Sequence, residues 1–411
     1  MDAPKGDTEA LPPLDVDDMP EWLVGQGLKG LPLDEQFHSF CDRLHGAGFD
    51  MARASMGMGT LHPRYGAQTF VWRADQKEVE TTMRDRATWQ LGDFMQSPVY
   101  FMRTTGTPAL RRRLDTNQPL EFPILEELRE QGMTDYAAQI VPYGRIDEGD
   151  PDSASGAFFS CATTRPGGFD DGHLRQVNDV LPYFGLAVKS RTTYDIATNV
   201  LSTYLGADAG HRVLTGAIDR GSVETIRAAL WFCDLRGFTR VSDRLPGDEL
   251  VETLDDYLEL MAGPVHANNG QILKFLGDGF LATFDLTALD GETVCRNALK
   301  AAAELRTAFP PFNEARQEAG KAVMDFGLAL HLGDVLYGNI GASDRLDFTV
   351  IGPAVNEVSR IQALCRPMER NTLISAAFHE VARSSQDELI SLGFHALRGV
   401  REPQELFTLK G

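Results

Sequence analysis

Residues 226–239 read IRAALWFCDLRGFT, and this stretch decides the architecture of the second half of the chain. Ile226–Cys233 is a continuous apolar-rich run with the length of a buried β-strand. It closes on Asp234–Leu235–Arg236–Gly237–Phe238–Thr239, after which Leu250, Leu254, Tyr257, Leu258 and Met261 mark an amphipathic helix. A carboxylate at a strand end, then glycine and a helix start, sets free backbone N–H groups beside the acid, an arrangement suited to phosphate oxygens. Working outward, residues 270–284 read GQILKFLGDGFLATF, two apolar segments joined by Gly277–Asp278–Gly279. That is hairpin chemistry with Asp278 in the turn, and a structural turn is its ordinary meaning. Asp234 changes the weighing, because two carboxylates at one edge of one sheet fit two divalent cations of the Mg²⁺ type. Further along, Val323–His331, Val335–Ile340 and Phe348–Ile351 read as strands, and Gly352–Pro353 opens a helix with proline in its favoured first turn. Asn356 and Arg360 are four apart on that helix and share a face.

The 411 residues predict two or three domains. Hydrophobic residues at 43% and charged residues at 24% exclude a disordered, collagen-like or small disulfide-scaffold chain. The 59 acidic against 39 basic residues leave a net charge of −20, which repels nucleic acid and anionic lipid. A polyanionic ligand must therefore be met through metal ions or a local basic patch. Five scattered cysteines without a C-x-x-C pair are thiols of a reducing compartment. No apolar run long enough to span a bilayer and no signal peptide occurs, so the chain reads as cytoplasmic.

Upstream, residues 1–30 are expected as a flexible tail ending in a docking segment around Trp22–Val24. Residues 31–172 are mixed: a helical period at Leu33, Phe37, Phe40 and Leu44, then strands over Thr69–Arg73, Ala138–Tyr143 and Ala157–Thr163, with a polar loop, Arg145–Ser155. Arg111–Arg113 reads as a solvated helix face, with a ligand patch as the alternative. Residues 156–177, GAFFSCATTRPGGFDDGHLRQV, resemble the C-terminal half of a GAF or PAS-type sensor domain. A sensing domain and a domain used only for dimerisation both remain open. Residues 173–222 form a helical linker suited to dimerisation and signal transmission, with Pro182 expected to kink or interrupt it.

The motifs LWFCDLRGFT, ILKFLGDGFLATF and DFTVIGPAVNEVSR, with the closing LRGVREPQELFTL, resemble the catalytic domain of the class III nucleotidyl cyclases over residues 223–411. The resemblance implies an α+β fold with a ferredoxin-like βαββαβ core. It places the metal-binding aspartates at Asp234 and Asp278, with the Leu235 carbonyl assisting, and implies two Mg²⁺ or Mn²⁺ ions. Phosphates would meet Gly237, Phe238 and Thr239. Lys274 and Thr349 fall at the purine-reading positions, where they match the adenine pair of the IIIb subgroup, whereas a guanylate cyclase typically has Glu with Cys or Ser. Asn356 and Arg360 fall on the transition-state residues. Arg398 is the triphosphate-binding basic residue by motif, with Arg401 competing. His331, nearest in sequence to the chemistry, reads as structural. The implied function is an adenylate cyclase acting on ATP as a homodimer with sites shared between subunits, with bicarbonate or an unknown ligand of the N-terminal domain as effector. The alternatives are a guanylate or other nucleotidyl cyclase and a non-catalytic nucleotide-binding dimerisation module. A diguanylate-cyclase reading requires a GGDEF-type hairpin and leaves Asn356 and Arg360 unexplained.

Overall fold

The computed structural model describes residues 11–88, 92–143, 156–285 and 290–410, and the chain divides into two compact units, Met1–Val200 and Leu201–Gly411. In the first unit, α1 (Met19–Lys29) and α2 (Leu33–Gly46) precede three strands, β1 (Arg53–Gly59), β2 (Tyr65–Arg73) and β3 (Glu80–Asp85). Then come α3 (Pro98–Thr105), β4 (Ala109–Arg113), α4 (Pro123–Glu130), β5 (Asp135–Pro142), β6 (Gly156–Thr163) and α5 (Asp171–Leu205). The strands form one antiparallel sheet in the order β3-β2-β1-β6-β5-β4. Period-two alternation sorts its faces. Ala54, Met56 and Met58 of β1 pack into a core with Phe37 and Phe40 of α2 and Val177, Leu181 and Phe184 of α5, where the Phe40 and Phe184 rings stack at 4.1 Å.

Several expectations for this half are corrected. Residues 19–29, expected within a flexible tail, form helix α1, because Met19 and Leu23 bury completely against the same core. Arg111–Arg113, read as a helix face, belong to strand β4. Arg111 there binds the fully buried carboxylate of Asp135 at 2.7 Å and Asp171 at 2.5 Å, while Arg112 and Arg113 pair with Glu121 and Asp115. The charges that suggested solvent are thus mostly spent on local ion pairs. Helix α5 runs unbroken through Pro182, held by buried Val180, Leu181 and Phe184 around it, and ends instead at Gly206, whose φ is +87°. The loop Arg145–Ser155 lies outside the described residues.

The second unit opens with α6 (Ala207–Leu214), β7 (Val223–Arg236), α7 (Phe238–Ser242), α8 (Gly247–Ala267), β8 (Gln271–Phe275), β9 (Gly279–Asp285) and α9 (Gly291–Glu318). It continues with β10 (Asp325–Gly341), β11 (Leu346–Ile351), α10 (Pro353–Leu364), β12 (Thr372–Ser375), α11 (Ala376–Val381), β13 (Leu389–His395) and β14 (Gln404–Leu409). The sheet order is β13-β14-β12-β10-β7-β9-β8, with β11 added to β10. Its β10-β7-β9-β8 portion, joined through α7 and α8 and then α9, is the expected antiparallel βαββαβ arrangement. Strand β7 divides the unit into two layers. Ala229, Trp231, Cys233 and Leu235 pack under α8 and α9, while Ala228 and Leu230 meet α10, β11 and Leu281 on the opposite face.

His331 of β10 is buried in that second layer, its Nδ1 2.9 Å from the Ser375 hydroxyl and 3.9 Å from Glu357. Despite that carboxylate, burial dominates and pulls the imidazole down to about 4. A histidine depressed in the fold stays neutral there while the unfolded chain protonates, so stability is lost as pH falls from the free value near 6.5 toward 4. The loss attributable to this side chain is about 3 kcal/mol when complete. Denaturant unfolding at stepped pH should give His331→Asn a flatter profile than the native chain between pH 6.5 and 4; parallel profiles would contradict this.

Candidate active site

Asp234 sits near the end of β7, on the face away from α8 and α9, paired across the sheet with Gly279 on one side and Gly327 on the other. The turn between β8 and β9 carries Asp278 to the same edge. The turn is locked by hydrogen bonds from the Leu235 N–H to the Asp278 carbonyl at 3.0 Å and from the Leu276 N–H to the Gly279 carbonyl at 2.8 Å. Both flanking glycines are required by the geometry. Gly277 has φ +72°, and a Cβ on Gly279 would stand 2.2 Å from the Cys233 carbonyl oxygen and 2.9 Å from Asp234 Oδ1. That close approach brings the two carboxyl groups within hydrogen-bonding reach. Partial burial, and then the facing Asp278 carboxyl, push Asp234 up to about 6.

A half-buried pair of carboxyls, one of which tends to keep its proton, is an oxygen-only site with an unrelieved like-charge contact. It fits hard divalent cations. Among the described residues no group of three or more His, Cys, Asp or Glu gathers as a softer metal site would require. Leu235 follows Asp234 on β7, and Gly237 (φ +93°) turns the chain into α7. Phe238 and Thr239 begin that helix, which is only five residues long and separate from α8, so the amphipathic helix read from Leu250 onward starts later than the turn at Gly237.

Lys274 and Thr349, the positions expected to read a purine, lie on β8 and β11. Phe348 and Val350 turn inward against Leu230 and Leu281, so Asp347 and Thr349 share the other face of β11. Lys274 reaches this strand and pairs with Asp347 at 2.5 Å, and its ammonium holds the Asp347 carboxyl below the usual range. Asp347 was not picked out from the sequence. Its position two residues before Thr349 on a strand was the signal that would have found it.

Asn356 and Arg360 project from α10, which packs on the sheet through Ala354, Val358 and Ile361. Asn356 is exposed and Arg360 half-buried. The loop between β13 and β14 comes to Arg360: a Cβ on Gly399 would stand 3.5 Å from its guanidinium. Arg398 adjoins Gly399 and is exposed, as is Arg401 two residues beyond it. Within one chain the structure therefore assembles three groups: the aspartate pair, Lys274 with Asp347 and Thr349, and Arg360 with the Arg398 loop.

Residues 222–411 match the family model described as the adenylate and guanylate cyclase catalytic domain. The adenylate cyclase of Anabaena cylindrica is 37% identical over 162 residues, covering 38% of this chain and 31% of that protein. Adenylate cyclase 1 of Rhizobium meliloti (strain 1021) is 30% identical over 149 residues, 36% of this chain and 22% of that one. The chain thus spans a third or less of the length of these curated relatives. The crystal structure of the guanylyl cyclase Cya2 covers 46% of this chain and 94% of its own, at 26% identity and a TM-score of 0.41. Three ordered motifs, the βαββαβ sheet and the family match agree on one region: residues 222–411 match the adenylate and guanylate cyclase catalytic domain.

Proposed function

We propose that the second unit converts ATP to 3′,5′-cyclic AMP and pyrophosphate at a site shared between two copies of the chain. The observation that carries this reading is the contact of the Asp234 and Asp278 carboxyls at an open sheet edge, enforced by Gly279. Those two side chains, with the Leu235 carbonyl, would hold two Mg²⁺ or Mn²⁺ ions, which when bound supply Lewis-acid activation of the ribose 3′-hydroxyl and neutralise phosphate charge. In the reaction the 3′-oxygen bonds to the α-phosphorus, the bond from that phosphorus to the α–β bridging oxygen breaks, and the hydroxyl proton passes to solvent.

The protein's own groups do the rest. Lys274 donates to the N1 acceptor of adenine, and the Thr349 hydroxyl accepts from the N6 amino group. Asp347 keeps the Lys274 ammonium on the Thr349 side of β11. Guanine presents a donor at N1, against which a lysine has nothing to accept. Arg360 stabilises charge that grows at the α-phosphate, an interaction realised mainly in the transition state. Asn356 orients the ribose, Arg398 meets the triphosphate, and the turn at Gly237–Thr239 offers backbone N–H groups to it.

Two uncovered apolar patches support a homodimer. Phe275, 53% exposed, and Leu276 flank the aspartate pair, while Leu336 and Ile351, directly opposite each other on β10 and β11, flank the start of α10. Tyr183, Leu186, Val200 and Tyr204 are also exposed at heptad spacing along α5, which suits the linker role given to residues 173–222. Residues 31–172, within the first unit, are then the regulatory part, with a GAF or PAS-type domain as their reading and bicarbonate or another small molecule as effector. Absence of a membrane-spanning helix among the described residues accords with a cytoplasmic enzyme.

Purified chain incubated with ATP or GTP and Mn²⁺ or Mg²⁺, with and without bicarbonate, should yield cyclic AMP from ATP in excess of cyclic GMP from GTP. Cyclic GMP as the main product moves the reading to a guanylate cyclase, and no cyclic nucleotide under any condition overturns it. Phe275→Glu should weaken self-association at least tenfold in sedimentation equilibrium and lower activity at a fixed concentration, with activity recovering as concentration rises. Unchanged association would contradict the assignment of that patch to the interface.

A further inference from the structure

The first unit contains a cavity of about 1060 Å³ on the sheet face opposite α2 and α5. Its floor is set by strand register. On β1, Arg53, Ser55 and Gly57 face it, paired with Ala162, Ser160 and Phe158 of β6, which in turn lie beside Tyr136, Ala138 and Ile140 of β5. The roof includes Pro98, Val99 and Met102 of α3 and Ile124 of α4. Phe158, Ile140 and Met102 make one side apolar. The polar side is already organised: the Ser55 and Ser160 hydroxyls lie 2.8 Å apart, and Tyr136 bonds to Ser160.

Arg53 is the group this arrangement leaves unsatisfied. Among the described residues no carboxylate or carbonyl hydrogen-bonds its guanidinium; burial pulls its proton affinity down and the cross-strand Arg73 adds like charge, against the longer-range pull of Tyr136, Glu80 and Glu127. Of those acids Glu80 is taken by Arg73 at 3.0 Å, while Glu127 lines the cavity without reaching Arg53 as an ion pair. Other arginines of this unit differ, since Arg111, Arg112 and Arg113 each bind a carboxylate. A half-buried cation without a hydrogen-bonded carboxylate is stabilised by an anion that completes it. Gly57 adds a second observation: nothing lies within 4 Å of where its Cβ would stand, so this strand position leaves the floor open.

We propose that this cavity binds a small organic anion, its oxyanion paired with Arg53 and its apolar body against Phe158, Ile140 and Met102. The volume lies at the upper end for small-molecule sites, which favours an organic ligand over a bare inorganic ion. Ser55, Ser160 and Tyr136 supply hydroxyls beside the ion pair, so carboxylate and phosphate esters share the required chemistry. The site lies wholly within the first unit and does not rest on the cyclase reading.

The test is isothermal titration calorimetry of the full chain with octanoate, octyl phosphate and neutral octanol. At least one anion should saturate one-to-one, with octanol binding at least tenfold more weakly; which anion binds tells carboxylate from phosphate. Arg53→Met should weaken the anion at least tenfold, leave octanol unchanged and melt no lower than the native chain, because the uncompensated charge is gone. Gly57→Phe should fill the floor and abolish binding of the anion, which decides the matter independently if Arg53→Met does not fold. Failure of both anions to saturate, octanol binding as tightly as the anions, or undiminished anion binding in a folded Arg53→Met or Gly57→Phe chain would overturn the proposal.

Discussion

Two carboxyl groups forced together at the edge of the second sheet are the constraint on which the catalytic unit depends. Unit charges about 4 Å apart near a protein surface repel by about 4 kcal/mol. Nothing basic among the described residues relieves the pair, and Asp234 responds by holding its proton more tightly. The backbone imposes the contact: β9 passes so close to β7 that only glycine fits at position 279, and the turn is tied by bonds from Leu235 and Leu276. Such a contact costs stability in the isolated chain, a cost that a bound cation would offset. The net charge of −20 has the same logic, since a triphosphate approaching an acidic protein needs positive charge delivered locally.

The alternation of β7 then fixes what surrounds the pair. One set of its residues is consumed by α8 and α9 in a packed core, and the other points to the layer of α10 and β11. That second layer covers Ala228 and Leu230 but leaves Phe232 and Asp234 only half-buried. Lys274 and Thr349 stand on strands that border this less covered region, and the Gly399 loop passes beside Arg360. The sheet thus has one face devoted to stability and one to chemistry. His331 lies on the second of these faces, where its ring, buried and bonded to Ser375, belongs to the packing.

The second unit was largely legible because its signals are local. A strand closing near Asp234, a Gly–Asp–Gly hairpin and a Gly–Pro helix start each occupy a few consecutive residues, and the structure has all three, although β7 runs on to Arg236 and the strands read over Val323–His331 and Val335–Ile340 are the single strand β10. Asp347 escaped because its meaning lies in a partner 73 residues away. The first unit was legible only in part. Strands β1, β3 and β4 carry Arg, Ser, Thr, Glu and Gly on one or both faces, so their period-two pattern is not hydrophobic and was not found. Arg111 reads as solvated until Asp135, buried on the neighbouring strand, is seen to hold it. Helix α1 hid among Pro, Asp and Gly because two buried side chains, Met19 and Leu23, anchor it.

The central claim is that one chain contributes only part of each site. Asp234→Ala and Arg360→Ala chains, each inactive alone, can be mixed in equal amounts and assayed for cyclic AMP. With shared sites, half the dimers pair the two variants, and each such dimer has one site carrying both lesions and one carrying neither, so about a quarter of native activity should return. If each site lies within a single chain, every site in the mixture carries a lesion. Activity no greater than the sum of the two variants, in a mixture shown to exchange subunits, would contradict the account.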